Sequence, residues 1–408
     1  MTGGITKKVR KCCSSVLLLC LVLLAVYGIQ DRMDGIRVAN AGVGTEKESG
    51  GEITGTPAQT GETDPPHGGH SEVVAENSAW SHIFGTSLPE AAKKQGDYCV
   101  LIPKKGGTFV RISEEMVYRR VNVIMTGAAV SPEDVLRVCG TEVYRGLPDV
   151  PVVVIPEEEK NVPRVREPKT PSEDTLLSLA MEEKNGEQKL VLEFNTVYEV
   201  TVTEDEEFVY LALVRPYERY EKILVIDAGH GGNDPGTNGG GSTEAAVNLA
   251  VVRYIKEILD GRTDLKVYYT RTDDTLPDLS TRVEFANALH ADMLISIHCN
   301  HIPVSSVNGL DVLYSKLQTG GSFTSRDLAG LCLEEVSAAT GLKKNKLVER
   351  SADLHLMKYC VMPSALIEFG YMSNRRDLSI ILSEEAQRAC AEAVCRVIDA
   401  AYAASGTR

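Results

Sequence analysis

Four side chains in the C-terminal half of the chain have the types that metal-assisted hydrolysis needs. His230 follows the apolar run Ile223-Leu-Val-Ile-Asp-Ala-Gly, and His298 ends Met293-Leu-Ile-Ser-Ile-His. Glu368 stands inside Ser364-Ala-Leu-Ile-Glu-Phe-Gly, and Glu244 lies 14 residues beyond His230 where a helical pattern begins. Two imidazoles and one carboxylate suit a catalytic zinc that keeps its fourth position for water. A second carboxylate outside the ligand set is then free to move protons. Each residue also has an ordinary reading: a strand-end histidine is commonly structural, and an acid in a helix's first turn is favoured by the helix dipole. Glu368 has the least ordinary setting, because a carboxylate within an apolar strand must be paired or functional. The glycine-rich stretch 229–241 could instead cradle a phosphate, yet it carries neither Gly-x-x-x-x-Gly-Lys-Ser/Thr nor Gly-x-Gly-x-x-Gly. The set favours a metal hydrolase; the spacing alone defines neither the reaction nor which carboxylate binds the metal.

The elements that must position these residues alternate between strand and helix from Glu221 onward. Apolar runs at 223–227, 267–271, 293–298, 311–315 and 365–369 read as strands. Helical patterns fill 242–259, 280–289, 322–340 and 383–401, with Ser242 and Ser280 as cap candidates and Gly341 as a stop. This predicts an α/β fold with a mainly parallel sheet covered by helices on both faces. In such a sheet the strand ends lie side by side, so His230, Glu244, His298 and Glu368 can converge on one edge.

Successive motifs in this region resemble those of the zinc-dependent N-acetylmuramoyl-L-alanine amidases. They are Asp227-Ala-Gly-His-Gly-Gly-Asn-Asp-Pro-Gly, Glu244-Ala-Ala-Val-Asn-Leu, Thr270-Arg-Thr-Asp-Asp, Arg282 with Ala286-Asn287, Ala291-Asp-Met-Leu-Ile-Ser-Ile-His-Cys-Asn, and Ala365-Leu-Ile-Glu-Phe-Gly-Tyr-Met-Ser-Asn. The resemblance runs in order over residues 223–408. It implies hydrolysis of the amide between the lactyl group of N-acetylmuramic acid and L-alanine in peptidoglycan. It also implies that His230, Glu244 and His298 bind Zn2+ and that Glu368 is the catalytic carboxylate, taking a proton from water and passing it to the leaving amine. Asn300 and Asn374 are expected to brace loops at the rim, and Arg271 and Arg282 to pair with acids. Asp227 is expected to orient the His230 ring, and the glycines to form a flexible cover that lets Glu244 swing to the metal. The chain departs from the family at Ala245 and Ala246, where charges are common, and at Phe369, whose size is expected to narrow the cleft. Between His298 and Glu368 there is space for one strand and one long helix but not for an autoinhibitory insertion, which predicts a site unblocked by its own chain. Two other functions fit the same residues less well. A zinc peptidase cutting within the stem peptide could use the same metal site, and a non-catalytic wall-binding protein would be expected to have lost one of the four residues.

The remainder of the 408 residues reads as three further parts. Residues 1–32 combine Lys7, Lys8, Arg10 and Lys11 with an apolar stretch over 12–29, long enough to span a bilayer with the cations left in the cytoplasm. This predicts a membrane helix and places the bulk of the chain outside the cell, in the envelope. Cleavage after Ala39-Asn-Ala41 is disfavoured by its distance from the apolar core. Residues 33–96 are rich in Gly, Thr, Glu, Ser and Pro and read as a disordered tether, with His67 and His70 as solvated linker histidines. Residues 97–220 read as a smaller β-rich domain, with strand candidates that include 152–155, a helix start at Ser131-Pro-Glu-Asp, and an exposed Pro- and Glu-rich loop over 156–171. That domain is either a spacer or a module for a wall or regulatory partner. A net charge of -14 disfavours nucleic acid. The ten cysteines show no paired spacing, and several of those outside the membrane stretch fall in apolar patterns where a free cysteine behaves as a small hydrophobe.

Overall fold

A computed structural model of the protein describes residues 98–104, 109–126, 130–139, 142–145, 175–184, 187–318 and 322–406. The expected membrane stretch, the tether with His67 and His70, the strand at 152–155 and the loop over 156–171 lie outside the described residues. Among the described residues no helix is long and apolar enough to cross a membrane.

The β-rich region is a sandwich of two antiparallel sheets. Its strands are β1 (Tyr98–Pro103), β2 (Phe109–Glu115), β3 (Arg120–Thr126), β4 (Leu136–Cys139), β5 (Glu142–Arg145), β6 (Leu176–Lys184), β7 (Glu187–Phe194), β8 (Glu199–Glu204) and β9 (Phe208–Val214). One sheet has the order β5-β4-β1-β9-β8 and the other β2-β3-β7-β6. Alternate residues of both sheets meet in one core, among them Val100, Ile102, Val123, Leu190, Leu192 and Leu211. The Ser131 helix start does form its capping box, but it makes a single 3-10 turn, Pro132–Asp134. Strand β4 begins two residues later and pairs with β1, so tertiary pairing overrides the cap signal.

The α/β region begins after a short helix α1 (Pro216–Arg219). Its sheet contains β10 (Ile223–Ala228), β13 (Lys266–Tyr269), β14 (Met293–Asn300), β15 (Leu310–Tyr314), β16 (Lys344–Glu349) and β17 (Ser364–Tyr371), in the order β13-β10-β14-β17-β15-β16. All neighbours are parallel except β15 and β17. A two-stranded hairpin, β11 (Asn238–Gly239) with β12 (Ser242–Thr243), sits inside the glycine-rich stretch. Helices α2 (Glu244–Leu259), α4 (Ser325–Thr340) and α7 (Glu384–Ser405) share an apolar cluster with one face of the sheet. Helices α3 (Leu279–Ala288) and α5 (His355–Tyr359) share another with the opposite face. The remaining helix, α6 (Arg375–Ile381), follows β17.

The expected helices form, with small shifts at their caps. Helix α2 is capped by Thr243, whose Oγ1 accepts from the N–H of Ala246, and α3 by Asp278, whose carboxylate accepts from the N–H of Thr281. Ser242 is paired in the hairpin instead, and Ser280 lies within the first turn of α3. Gly341 closes α4 with φ 69°, a left-handed conformation that glycine adopts without cost. The described cysteines Cys99, Cys299, Cys332, Cys360, Cys390 and Cys395 are free and buried, as expected.

Sandwich and α/β region meet through polar and apolar contacts. Val197, just before β8, packs in the cluster containing Tyr268 and Phe285. Glu199 accepts from Tyr268 (3.0 Å) and Tyr220 (2.8 Å) and pairs with Lys266 at 2.6 Å. Arg119 donates to Glu284 of α3 at 2.7 Å.

Candidate active site

The site is built at the C-terminal end of β10, where the chain leaves the sheet through Gly229 and His230. His230 has φ 60°, a strained value for a residue with a Cβ, and two buried guanidinium groups hold the backbone there. Arg271 donates to the carbonyls of Ala228 (2.8 Å), Gly229 (2.8 Å), Ala245 (2.9 Å) and Asp273 (2.9 Å). Arg282 donates to the carbonyls of Ala228 (2.6 Å), His230 (2.8 Å) and Pro277 (2.8 Å) and to Asp227 Oδ1 (2.6 Å). Arg282 therefore pairs with an acid as expected, whereas every partner found for Arg271 is a carbonyl oxygen. Both act as fasteners of the 228–230 backbone.

Three of the four sequence-predicted residues face one point. His230 Nε2 lies 3.1 Å and His298 Nδ1 3.0 Å from the same atom, Glu244 Oε1. The three side chains form a group that could hold a metal ion, with their ligand atoms all within 4.8 Å of one another. Two of the three, His230 and Glu244, are also held from behind. His230 Nδ1 lies 2.7 Å from Asp234 Oδ2. Glu244 Oε1 also accepts from the N–H of Cys299 (3.1 Å), and Oε2 from the N–H of Thr237 (3.0 Å). Burial raises the Glu244 pKa, but hydrogen bonds from His230 and His298 outweigh it and hold the carboxyl well below its usual range. Burial likewise disfavours a charged His230, and its contacts with Glu244 and Asp234 overcome that, raising its pKa to about 9. Two imidazoles and a carboxylate of this kind match the donor set of a catalytic zinc centre. The imidazoles of His230 and His298 are 25% and 19% exposed, so the group opens to solvent.

Glu368 is placed by register. It lies on β17 directly beside His298 of β14, and cross-strand partners share a face of the sheet. Burial pushes its pKa up to about 7, with Glu244 and Asp311 adding to the rise and the two histidines opposing it. Its Oε2 is buried without a hydrogen-bond partner. A carboxyl group with that poise can exchange protons near neutral pH.

Several expectations are corrected. Asp227 does not orient His230: it is fully buried and accepts from Thr270 (2.6 Å), Ser296 (2.5 Å) and Arg282 (2.6 Å). Asp234 takes that place, a residue hidden in the sequence because Asn-Asp-Pro-Gly reads as an ordinary turn. Two of the glycines expected to form a flexible cover, Gly229 and Gly236, are packed tightly against the site. A Cβ on Gly229 would stand 2.2 Å from the His298 ring, and one on Gly236 would stand 2.6 Å from Glu244 Oε2. The Glu244 N–H donates to the Thr237 carbonyl at 2.8 Å, which ties the start of α2 to the loop, and its Oε1 already lies against both histidines. Phe369 is fully buried in the helix-covered core on the other face from Glu368, so it does not narrow the cleft. Asn374 does brace a loop, donating to the Ser305 carbonyl at 2.7 Å while capping α6. Asn300 contributes through its backbone carbonyl, which accepts from the N–H of Met372 at 2.8 Å.

A model of the family described as Amidase_3, N-acetylmuramoyl-L-alanine amidase, matches residues 224–400. The uncharacterised protein YqiI of Bacillus subtilis is 34% identical over 181 residues, a match covering 44% of this chain and 85% of that protein. The N-acetylmuramoyl-L-alanine amidase LytC of Bacillus subtilis is 32% identical over 158 residues, covering 39% of this chain but 31% of LytC. Among solved structures, the catalytic domain of CwlV, an N-acetylmuramoyl-L-alanine amidase from Bacillus (Paenibacillus) polymyxa, is 31% identical and covers 45% of this chain and 99% of its own, with a TM-score of 0.42. With its sequence matched from β10 into α7, the chain belongs to the N-acetylmuramoyl-L-alanine amidase family.

Proposed function

We propose that this chain is a zinc-dependent amidase of the cell envelope that hydrolyses the bond between the lactyl group of N-acetylmuramic acid and L-alanine in peptidoglycan. The observation that carries the reading is the convergence of His230 Nε2 and His298 Nδ1 on Glu244 Oε1, with Glu368 beside His298 on the next strand. His230, Glu244 and His298 would hold the ion. When bound, zinc supplies the Lewis acidity that polarises the scissile carbonyl and acidifies water.

The remaining work falls to the chain. Glu368, poised to exchange a proton near neutrality, takes one from the attacking water as the new C–O bond forms. It then gives that proton to the leaving nitrogen of L-alanine as the C–N bond breaks, so the carboxyl ends in its starting state. Asp234 keeps the His230 ring oriented, and Arg271 and Arg282 hold the backbone that carries it. The cations and apolar stretch near the N-terminus support an anchor that leaves this domain outside the membrane, where its substrate lies.

Digestion of purified peptidoglycan by the zinc-loaded protein, followed by mass spectrometry, tests the proposal. Stem peptides released with a free L-alanine N-terminus are expected. New termini inside the stem would assign a peptidase instead, and an unchanged digest would leave a wall-binding protein.

A further inference from the structure

One buried carboxylate beside the site has no task in this mechanism. Asp311, on β15, is the antiparallel register partner of Glu368, which is itself the partner of His298. Imidazole, glutamate and aspartate therefore stand in a row across three adjacent strands on one face. Neighbouring Cβ atoms in such a row are about 4.5–5.5 Å apart, within reach of a direct or water-bridged link between carboxyl groups.

Asp311 is 3% exposed. Its Oδ2 accepts from the Tyr371 hydroxyl at 2.6 Å, which fixes the carboxylate, while Oδ1 is buried without a partner. Glu368 Oε2 is also buried without one. Two orphaned acceptors on adjacent strands are uncommon, because buried polar atoms ordinarily find partners. The strands themselves are pinned: Asp377 Oδ2 accepts from the N–H groups of both Gly309 (2.6 Å) and Tyr371 (3.0 Å), joining the start of β15 to the end of β17.

We propose that Asp311 is a positioning residue for Glu368, holding Oε2 through a proton shared between the two carboxyl groups or through a single bridging water, so that the other carboxyl oxygen is presented to the substrate. Tyr371 acts one step further back, by holding Asp311. This inference rests on Glu368 being the proton carrier proposed above.

The test uses the full chain with Asp311→Ala, Asp311→Asn, Tyr371→Phe and Glu368→Gln. With zinc bound, Asp311→Ala is expected to lower kcat about 10-fold or more while KM stays within about 2-fold and zinc content is unchanged. Asp311→Asn keeps the volume and offers an N–H to Oε2, so it should recover part of that loss, and Tyr371→Phe should show a smaller loss of the same kind. In the zinc-free protein, the Tm shifts of Asp311→Asn and Glu368→Gln should fail to add in the double variant, as coupled neighbours do. An unchanged kcat in Asp311→Ala, or a fall in zinc content alongside kcat, overturns the inference, as do additive Tm shifts. If Asp311→Ala does not fold, Asp311→Asn and the Tm cycle decide. Wild-type protein inactive on peptidoglycan would instead overturn the amidase reading, and the Tm cycle would still decide whether the two carboxyl groups are linked.

Discussion

His298 and Glu368 are direct register partners on the parallel strands β14 and β17, and the first stands among the candidate metal ligands while the second does not. One strand spacing therefore separates the residue proposed to bind the ion from the residue proposed to carry the proton.

Separation of those roles predicts a clean outcome for Glu368→Gln. The substitution keeps the shape and removes the exchangeable proton, so kcat should fall about 100-fold to 10000-fold, the usual range for losing a general acid–base group. Zinc stoichiometry, measured by metal analysis after dialysis, should remain that of the wild type. Loss of the metal in this variant would make Glu368 a ligand.

The strands that carry His230, His298 and Glu368, and the helix that Glu244 opens, were legible in the sequence because each apolar run is short and bounded by Gly or by a polar residue. Strand parity in β17 was overlooked at Phe369: with Glu368 on the site's face, its neighbour points to the opposite face, where it is buried against α2, α4 and α7 rather than narrowing the cleft. The supporting residues were hidden. Asp227 and Arg282 lie 55 positions apart and Asp227 and Ser296 69 apart, and no local period reports such pairings. Strand β16, Lys344-Asn-Lys-Leu-Val-Glu, escaped detection because an edge strand carries solvated polar residues that mask its pattern.

Asp227 and Arg282 form a buried ion pair, which makes stability pH-dependent in a definite direction. Burial raises the Asp227 pKa, but Arg282, His298, Ser296 and Thr270 outweigh it and hold the carboxyl at about 2. A depressed folded-state pKa stabilises the fold above the unfolded value near 4 and loses that contribution as pH falls towards 2. By linkage a depression of that size is worth on the order of 2 kcal/mol, and urea unfolding at pH 7 and pH 3 should show part of it disappearing. Arg282→Met leaves the carboxylate buried without its cation and should cost about 3–5 kcal/mol at pH 7. Equal stability of wild type and Arg282→Met at pH 7 would show that the pair contributes nothing.

Asp234 predicts a metal-affinity effect with little effect on folding. It is half exposed, and its Oδ2 lies 2.7 Å from the ring nitrogen of His230 that faces away from Glu244. Removing such a partner typically weakens metal binding about 10- to 100-fold. Asp234→Ala should show that loss in a competition titration against a zinc chelator, while its Tm without metal stays close to that of the wild type. Unchanged zinc affinity would mean that Glu244 alone orients the ring.

Gly229 offers the sharpest steric test of the site. Its φ is not positive, so alanine is compatible with the backbone and only the added methyl matters. That methyl would lie 2.2 Å from His298 Cε1 and Nε2 and 2.6 Å from Nδ1, distances that force the ring to move. Because His298 stands between Glu244 and Glu368, its displacement should disturb the metal group and the proton carrier together. A misplacement of about 1 Å can cost about 100-fold in rate, so Gly229→Ala should lower kcat/KM by that order and weaken zinc binding as well. Paired measurement of kcat/KM and chelator competition checks both consequences. A variant with wild-type values of each would show that the ring has room to yield, and that Gly229 serves the turn rather than the site.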